Sequence, residues 1–372
     1  MIYRAIGVMS GSSLDGLDIA FVEFQENAGK WNYEIGQADC YAYNEKWLEK
    51  LRSATSLKSV DYQLLHVEYG HYVGEQINRF IEQNKLHYQV ALVASHGHTT
   101  FHIPSKKMTA QLGDGAAIAA ETQLPVISDL RALDLAFGGQ GAPIVPIGEK
   151  WLLGDFDFFL NLGGIANVSF KSEPYVAFDI CAANRVLNML VSNEGKEYDN
   201  KGEMAESGEL NLELLQKLNG LDYYSQPYPK SLANDFGTDT VYPMIIETGC
   251  KIKDALRTYV EHIVMQIKRS ITNLVNNKHQ TIPKESIRIN RKLLATGGGA
   301  FNIFLVNRLS EELRQLQIEV VVPDEKLIQY KEAMIMAFMG VLRWRQEYNV
   351  ISSVTGASRD SIGGALWIGQ EA

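Results

Sequence analysis

The chain is expected to be an α/β protein built twice over, with two domains and a cleft between them. Three observations predict this. At 372 residues the chain is long for a single core, so two domains are the default. A Gly-rich turn set between strands occurs once in each half. Each half then continues as helical spacing alternating with short buried strand patterns, the mark of α/β units.

The elements follow in order. Residues 3–8, 17–24 and 31–43 read as three strands, with Met9-Ser10-Gly11-Ser12-Ser13-Leu14-Asp15-Gly16 as the first turn. Residues 45–57 and 61–84 carry helical spacing. Residues 88–94 read as a short buried strand that ends at Ser95-His96-Gly97-His98, followed by a helix at 116–122 and a strand at 125–128. Gly138-Gly139-Gln140-Gly141-Ala142-Pro143 is expected to be the hinge, with domains over 1–135 and 136–372. The second half repeats the plan with strands at 158–162, 168–170 and 175–180 around Gly163-Gly164-Ile165-Ala166-Asn167. Helices are expected at 183–192, 210–218 and 248–276. A strand at 292–296 runs into Gly297-Gly298-Gly299 and a helix to 317, and a last helix covers 331–348.

A strand that ends in glycines and doubles back offers converging N–H groups that can cradle anionic oxygens. One such turn alone would be a hairpin needing positive φ. The pair, with hydroxyls at Ser10, Ser12 and Ser13 and a carboxylate at Asp15, suits a polyphosphate and Mg²⁺. Neither Gly-x-x-x-x-Gly-Lys-Ser/Thr nor Gly-x-Gly-x-x-Gly is present, which argues against a Walker loop and a nicotinamide dinucleotide site. Gly297-Gly298-Gly299 opens a helix, where backbone can lie flat against a nucleoside or phosphate, or serve only helix-start packing. Asp179 is expected at the C-terminal edge of its strand. A lone Asp there would be an N-cap for the next helix, but its place after the second Gly-rich meander favours a general base facing the γ-phosphate. His96, His98 and His102 fit substrate hydrogen bonding better than metal ligation, since no carboxylate follows at hydrolase spacing. Cys181 reads as a small buried thiol, and residues 193–208 as a surface turn more than a lid.

The net charge of −9, without Lys/Arg clusters, argues against a nucleic-acid surface. Three scattered cysteines support neither a disulfide framework nor a zinc ribbon. No apolar run approaches the ~18 residues of a membrane span, and the N-terminus lacks the pattern of an export signal. A cytoplasmic location is the expectation.

Taken together, the ordered segments resemble the anhydro-N-acetylmuramic acid kinase family of the sugar kinase, actin and heat-shock chaperone superfamily, as a divergent branch. They are the stretch Gly7 to Asp18, Ser95-His96-Gly97, Gln111-Leu112-Gly113-Asp114, Asp129-Leu130-Arg131, the Gly138 to Pro143 loop, Asn161 to Asn167, Pro229-Lys230-Ser231, Gly297 to Asn302, Glu332-Ala333 and Val354-Thr355-Gly356-Ala357. The resemblance implies two actin-like (ribonuclease H-like) domains with a nucleotide-binding cleft between them. It also implies ATP-dependent conversion of 1,6-anhydro-N-acetylmuramic acid to N-acetylmuramic acid 6-phosphate in peptidoglycan recycling, and a homodimer. Asp179 would then be the catalytic base. Gly11, Ser12, Ser13, Leu14, Asp15, Gly16, Asp18, Asn161, Gly163, Gly164 and Asn167 would hold ATP and its phosphates, with Gly297, Gly298, Gly299 and Asn302 on the adenosine side. Arg131, His98 and Glu332 would hold the sugar, and Asp15 would hold Mg²⁺ through water. The family usually has Thr-Gly-Pro-Gly-Asn after the catalytic Asp, where this chain has Ile180-Cys181-Ala182-Ala183-Asn184, and commonly Gln where His98 stands and Thr where Ser12 stands. A sugar kinase of other specificity and a non-catalytic nucleotide-binding homologue are the alternatives.

Overall fold

The computed structural model describes residues 1–11, 14–228, 230–233, 235–276 and 290–370. The chain forms two compact units, Met1–Leu153 with Tyr330–Ala372, and Gly154–Gln329.

The first unit opens on an antiparallel meander of β1 (Ile2–Ser10), β2 (Gly16–Asn27) and β3 (Lys30–Ala42). β4 (Leu92–Ile103) joins β1 in parallel, β5 (Met108–Leu112) folds back on β4, and β6 (Val126–Ser128) pairs β4 in parallel. β2 reads Ile19-Ala20-Phe21-Val22, a continuous apolar run, because both sheet faces are covered. Leu17, Ile19 and Phe21 pack with Tyr69, Val73, Ile77 and Phe80 of helix Ser59–Gln83. On the opposite face, the Phe24 and Trp31 rings lie 5.4 and 5.0 Å from Phe338 of helix Glu325–Trp344.

The second unit repeats the plan with β7 (Phe158–Leu162), β8 (Ile165–Phe170) and β9 (Val176–Ala182) as the meander. β10 (Arg291–Thr296) is parallel to β7, and β11 (Ile318–Val321) is parallel to β10. Phe158, Leu160, Val168 and Phe170 share a core with Tyr259, Ile263 and Ile267 of helix Ile252–Asn276. The chain closes with β12 (Ala365–Trp367), which pairs antiparallel with β6 in the first unit.

The two sheets have matching strand orders. In the first, β3-β2-β1-β4-β6 has an antiparallel meander leading into parallel strands, and in the second β9-β8-β7-β10-β11 does the same. This is the ribonuclease H-like, actin-like plan expected from the sequence, present twice.

The unit boundaries depart from the expected division at 135/136. The first unit runs on to Leu153 and takes back the C-terminal segment from Tyr330. The reason is packing of helix Glu325–Trp344 on the first sheet. A Cβ on Gly7 of β1 would lie 1.8 Å from the Ala333 carbonyl oxygen, and one on Gly340 would lie 2.6 Å from Ala94 Cβ, so glycines on both partners let helix and sheet close up. The Gly138–Pro143 loop, expected to be a hinge, lies inside this unit. There Gly141 N–H donates to Asp134 Oδ2 at 2.7 Å and Gln140 N–H to the Thr355 carbonyl at 2.8 Å.

Several elements differ from expectation. β4 runs on through His96 and His98 instead of ending before them, since pairing with β1 and β5 continues that far. β5, β11 and β12 have no counterpart among the strands expected from the sequence. The last long helix begins at Glu325, so Glu332 lies two turns inside it.

Candidate active site

In the first unit, the segment between β1 and β2 is the one expected to bind anions. Ser12 and Ser13 lie outside the described residues. Leu14 adopts φ +60°, and its N–H points to the Gly11 carbonyl at 3.4 Å. Asp15 Oδ1 accepts from Gly16 N–H at 3.1 Å. Gly16 is needed for a different reason from the one expected. It already belongs to β2, opposite Ala42, and a Cβ there would sit 2.6 Å from Cys40 Sγ and 2.8 Å from the Tyr41 carbonyl oxygen.

Asp18 stands between Met9 of β1 and Cys40 of β3. Burial pushes its carboxyl up to about 6, against a hydrogen bond from the Cys40 thiol, and the Asp15 and Glu332 charges push the same way. Burial raises the thiol in turn to about 12, and the Asp18, Asp15 and Asp39 carboxylates push the same way. Glu332 reaches this group because Gly7 lets its helix approach β1.

Arg131 lies beside the short helix Ala132–Ala136. Its guanidinium donates from Nε to His96 Nε2 at 2.8 Å and from an η nitrogen to the Gly141 carbonyl at 2.6 Å. Arginine has only donors, so His96 Nε2 must accept, and His96 Nδ1–H donates to the Gly97 carbonyl at 2.8 Å. Burial and the neighbouring guanidinium hold His96 neutral, its proton affinity lowered to about 3. Burial lowers Arg131 to about 10, with Glu332 and Asp134 acting in the opposite direction. His98, paired with Ser10 at the end of β1, accepts or donates at Nδ1 to Ser10 Oγ at 3.0 Å. Arg131, Glu332, Asp18, Asp15 and His98 are therefore gathered on one unit around the first turn.

The second unit gathers the other set. Gly163 and Gly164 follow β7, and their carbonyls accept from Asn184 and Ala183 N–H at 3.0 and 2.8 Å. Asn184 Nδ2 donates to the Leu162 carbonyl at 2.7 Å. The glycines separate by physical role. Gly297, at φ +80°, would place a Cβ 2.5 Å from Asn161 Oδ1, and Gly299 would place one 2.7 Å from Leu162 Cβ, so these two serve packing between β7 and the 298–301 turn. Around Gly163, Gly164 and Gly298 an added Cβ meets nothing closer than 3.4, 3.7 and 3.6 Å, which leaves their backbone open to a ligand. The Thr296 hydroxyl beside them is buried with no hydrogen-bond partner among the described residues. Asn302 caps helix Ile303–Arg314, accepting from Leu305 N–H at 3.0 Å. The Gly-rich segment first forms a short turn of 3-10 helix, Gly298–Phe301, before that helix begins.

Asp179 lies inside β9, opposite Asn167, and not at the strand's end as expected. It does not cap the next helix, whose N-cap is Ala183. Its carboxylate is held from one side: Leu232 N–H donates to Oδ2 at 2.9 Å, while the Tyr223 hydroxyl donates to the Asp179 carbonyl at 2.7 Å and Asp179 N–H donates to the Lys230 carbonyl at 3.1 Å. Oδ1 accepts no hydrogen bond among the described residues. Burial raises the Asp179 carboxyl above the ordinary range and the Leu232 N–H partly offsets it. Cys181 is fully buried, and burial pushes its thiol far up, as befits the inert thiol expected.

Residues 3–369 match the family model described as anhydro-N-acetylmuramic acid kinase. The chain belongs to the anhydro-N-acetylmuramic acid kinase family. It is similar to the anhydro-N-acetylmuramic acid kinases of Aliivibrio fischeri (32% identity, covering 98% of this chain and 99% of that one), Sulfurimonas denitrificans (31%, covering 97% and 98%) and Photobacterium profundum (30%, covering 98% and 99%).

For a member of the anhydro-N-acetylmuramic acid kinase family, three residues without an assigned role, Asp134, Thr355 and Lys230, now stand beside the site, and a fourth, His96, expected to hydrogen-bond substrate, instead spends both ring nitrogens on Arg131 and the Gly97 carbonyl. His96 and Asp134 brace Arg131 and its loop, and Thr355 Oγ1 donates to Asp134 Oδ1 at 2.7 Å. Lys230 holds the Asp179 strand through its backbone and lies 4.3 Å over the Tyr223 ring. Three of them lie in segments that carry the family resemblance, Ser95-His96-Gly97, Pro229-Lys230-Ser231 and Val354-Thr355-Gly356-Ala357, so the signal was present without its partner. Pro229 lies outside the described residues. No group of three His, Cys, Asp or Glu side chains able to hold a metal ion occurs among the described residues. The carboxylates Asp15 and Asp18 fit the common Mg²⁺ pattern, in which one or two carboxylates share the ion with substrate phosphates and water.

Proposed function

We propose that this protein is an ATP-dependent kinase that converts 1,6-anhydro-N-acetylmuramic acid and water to N-acetylmuramic acid 6-phosphate in peptidoglycan recycling. Family membership supports the phosphotransferase activity. The observation that carries the chemistry is the carboxylate of Asp179, anchored at Oδ2 and open at Oδ1.

In this reading Asp179 Oδ1 takes a proton from water as the water oxygen attacks the anomeric carbon. The bond from that carbon to the bridging O6 breaks. O6 then takes the γ-phosphoryl group of ATP, the bridging P–O bond to ADP breaks, and the Asp179 proton passes to solvent. Partial burial keeps the carboxyl basic enough to accept that proton, and the Leu232 N–H keeps it ionised beforehand. Gly11–Asp18 and Gly163–Asn167 bind phosphate oxygens, with the open backbone of Gly298 on the adenosine side. Arg131, His98 and Glu332 bind the amino sugar, the guanidinium suiting its lactyl carboxylate. Mg²⁺, held by Asp15 and Asp18 with water, would offset charge on the β and γ phosphates. A homodimer working in the cytoplasm completes the reading; among the described residues no helix is long and apolar enough to cross a membrane.

A second reading, a kinase for a different sugar, draws on the Ile180–Ala183 segment. All four residues are buried in the core, and the Ala182 carbonyl accepts from the Tyr259 hydroxyl at 2.8 Å, so this stretch beside Asp179 is firmly built in its altered form. Incubation with ATP, Mg²⁺ and 1,6-anhydro-N-acetylmuramic acid, followed by mass spectrometry, tests both. A product heavier by water plus phosphate is expected. Phosphate gain alone on an ordinary sugar would favour the second reading, and no product with any sugar would leave only nucleotide binding.

A further inference from the structure

Behind His98 runs a chain of hydroxyls that ends in the core. His98 Nδ1 lies 3.0 Å from Ser10 Oγ, Ser10 Oγ lies 2.7 Å from the Tyr43 hydroxyl, and the Tyr43 hydroxyl lies 2.5 Å from the Tyr69 hydroxyl. Each of the four side chains is buried, Tyr69 completely. Burial holds both phenols in their protonated form.

The inner end of the chain sets its direction. The Tyr69 O–H is sealed in the core with the Tyr43 oxygen as its hydrogen-bond partner, and an unpaired buried donor is costly, so Tyr69 donates to Tyr43. The Tyr43 proton then has Ser10 Oγ as its acceptor. Ser10 has one proton of its own, and once its oxygen accepts from Tyr43 the hydrogen-bond partner left for that proton among the described residues is His98 Nδ1. Reversing the chain would take from the Tyr69 proton its 2.5 Å acceptor in Tyr43 and leave it only the less well placed Ser10 oxygen. An imidazole that accepts at Nδ1 carries its proton on Nε2.

We propose that Tyr69, Tyr43 and Ser10 form a one-way hydrogen-bond relay that holds His98 as the Nε2–H tautomer, making it a fixed donor to an oxygen acceptor on the amino-sugar substrate. This rests on the reading that His98 faces the sugar. A glutamine at this position would reproduce the same polarity: its amide oxygen would take the Ser10 hydrogen and its NH₂ group would point outward as a donor. His98 in this chain is then a stiffer version of one donor, without the amide's freedom to flip. Tyr43 and Ser10 are positioning residues that act through it.

The test begins with the unmodified protein, labelled with ¹⁵N-histidine, at neutral pH and without ligand. Two-bond ¹⁵N–¹H spectra should show His98 with a bare Nδ1 and a protonated Nε2. A protonated Nδ1, or an imidazolium, overturns the proposal. Kinetics supply the second readout. Ser10→Ala should raise the KM for the amino sugar about tenfold, the scale of one hydrogen bond lost in a binding site, more than it lowers kcat, and leave the KM for ATP nearly unmoved. An unchanged sugar KM overturns the positioning role. His98→Gln should recover most of the sugar affinity that His98→Leu loses, and equal losses in the two variants count against the donor. If the unmodified protein turns over no anhydro-sugar, the proposed function fails, whereas the NMR result still decides the relay.

Discussion

Replacing Asp18 by Asn should make the protein more stable at pH 8 and less able to bind ATP. Asp18 is confined between β1 and β3, next to Asp15 and Glu332, and its carboxyl rises from an ordinary 3.8 to about 6. A raised carboxylate binds its proton more tightly in the folded chain than in the unfolded one, so stability falls as pH rises from about 4 to about 6, and the whole cost remains above that window. At 1.36 kcal/mol per pH unit the shift corresponds to about 3 kcal/mol. The carboxylate is partly open to solvent, which screens it, so about 2 kcal/mol is the working figure. Asparagine has the shape of the protonated acid and keeps an oxygen for the Cys40 thiol. Urea denaturation of both proteins, in EDTA and without nucleotide, should therefore give equal stabilities near pH 4 and a gain of about 2 kcal/mol for Asp18→Asn at pH 8. Isothermal titration with ATP and Mg²⁺ should show weakened binding by the same variant. A variant less stable than the parent at pH 8, or a difference that does not grow between pH 4 and 6, would refute the reasoning.

Three further outcomes are expected. Asp179→Asn should lower turnover by ~10²–10⁴-fold while ATP affinity measured by titration stays close to the parent's; in the parent, the acid limb of kcat/KM should lie above the ordinary carboxylate range, because Asp179 must be ionised to accept a proton and burial raises it. Gly7→Ala should cost about 3 kcal/mol in urea denaturation, since its Cβ would overlap the Ala333 carbonyl and neither backbone can yield; a loss under about 0.5 kcal/mol would show that the helix is not seated on β1. Thr355→Val should cost about 2 kcal/mol by leaving the buried Asp134 carboxylate short of one donor, and unchanged thermal unfolding would remove Thr355 from that role.

The twofold plan was legible in the sequence because it is written in local chemistry. Apolar alternation, helical spacing and glycines at strand ends report on neighbours a few residues away, and both meanders appear where that pattern placed them. The Gly-rich turns were legible as turns, yet their glycines were not legible one by one. Gly163 and Gly164 leave open backbone, whereas Gly16, Gly297 and Gly299 are glycines because β3, Asn161 and Leu162 press against them. No local pattern separates a residue kept small for a ligand from one kept small for a neighbouring chain segment.

The identity of the two meanders, the family and most of the candidate residues came from the order of residues alone, since hydrogen-bonding strands and turns depend on short-range stereochemistry. Long-range packing decided the rest. Helix Glu325–Trp344 returns more than three hundred residues after β1 to lay Glu332 beside Asp18, and Thr355 reaches Asp134 across 221 positions. Charge, burial and proton affinity at these residues are properties of what surrounds them in space. That is why Asp18 could be named from the sequence as a ligand, while its carboxyl near 6 could be read only from the folded protein.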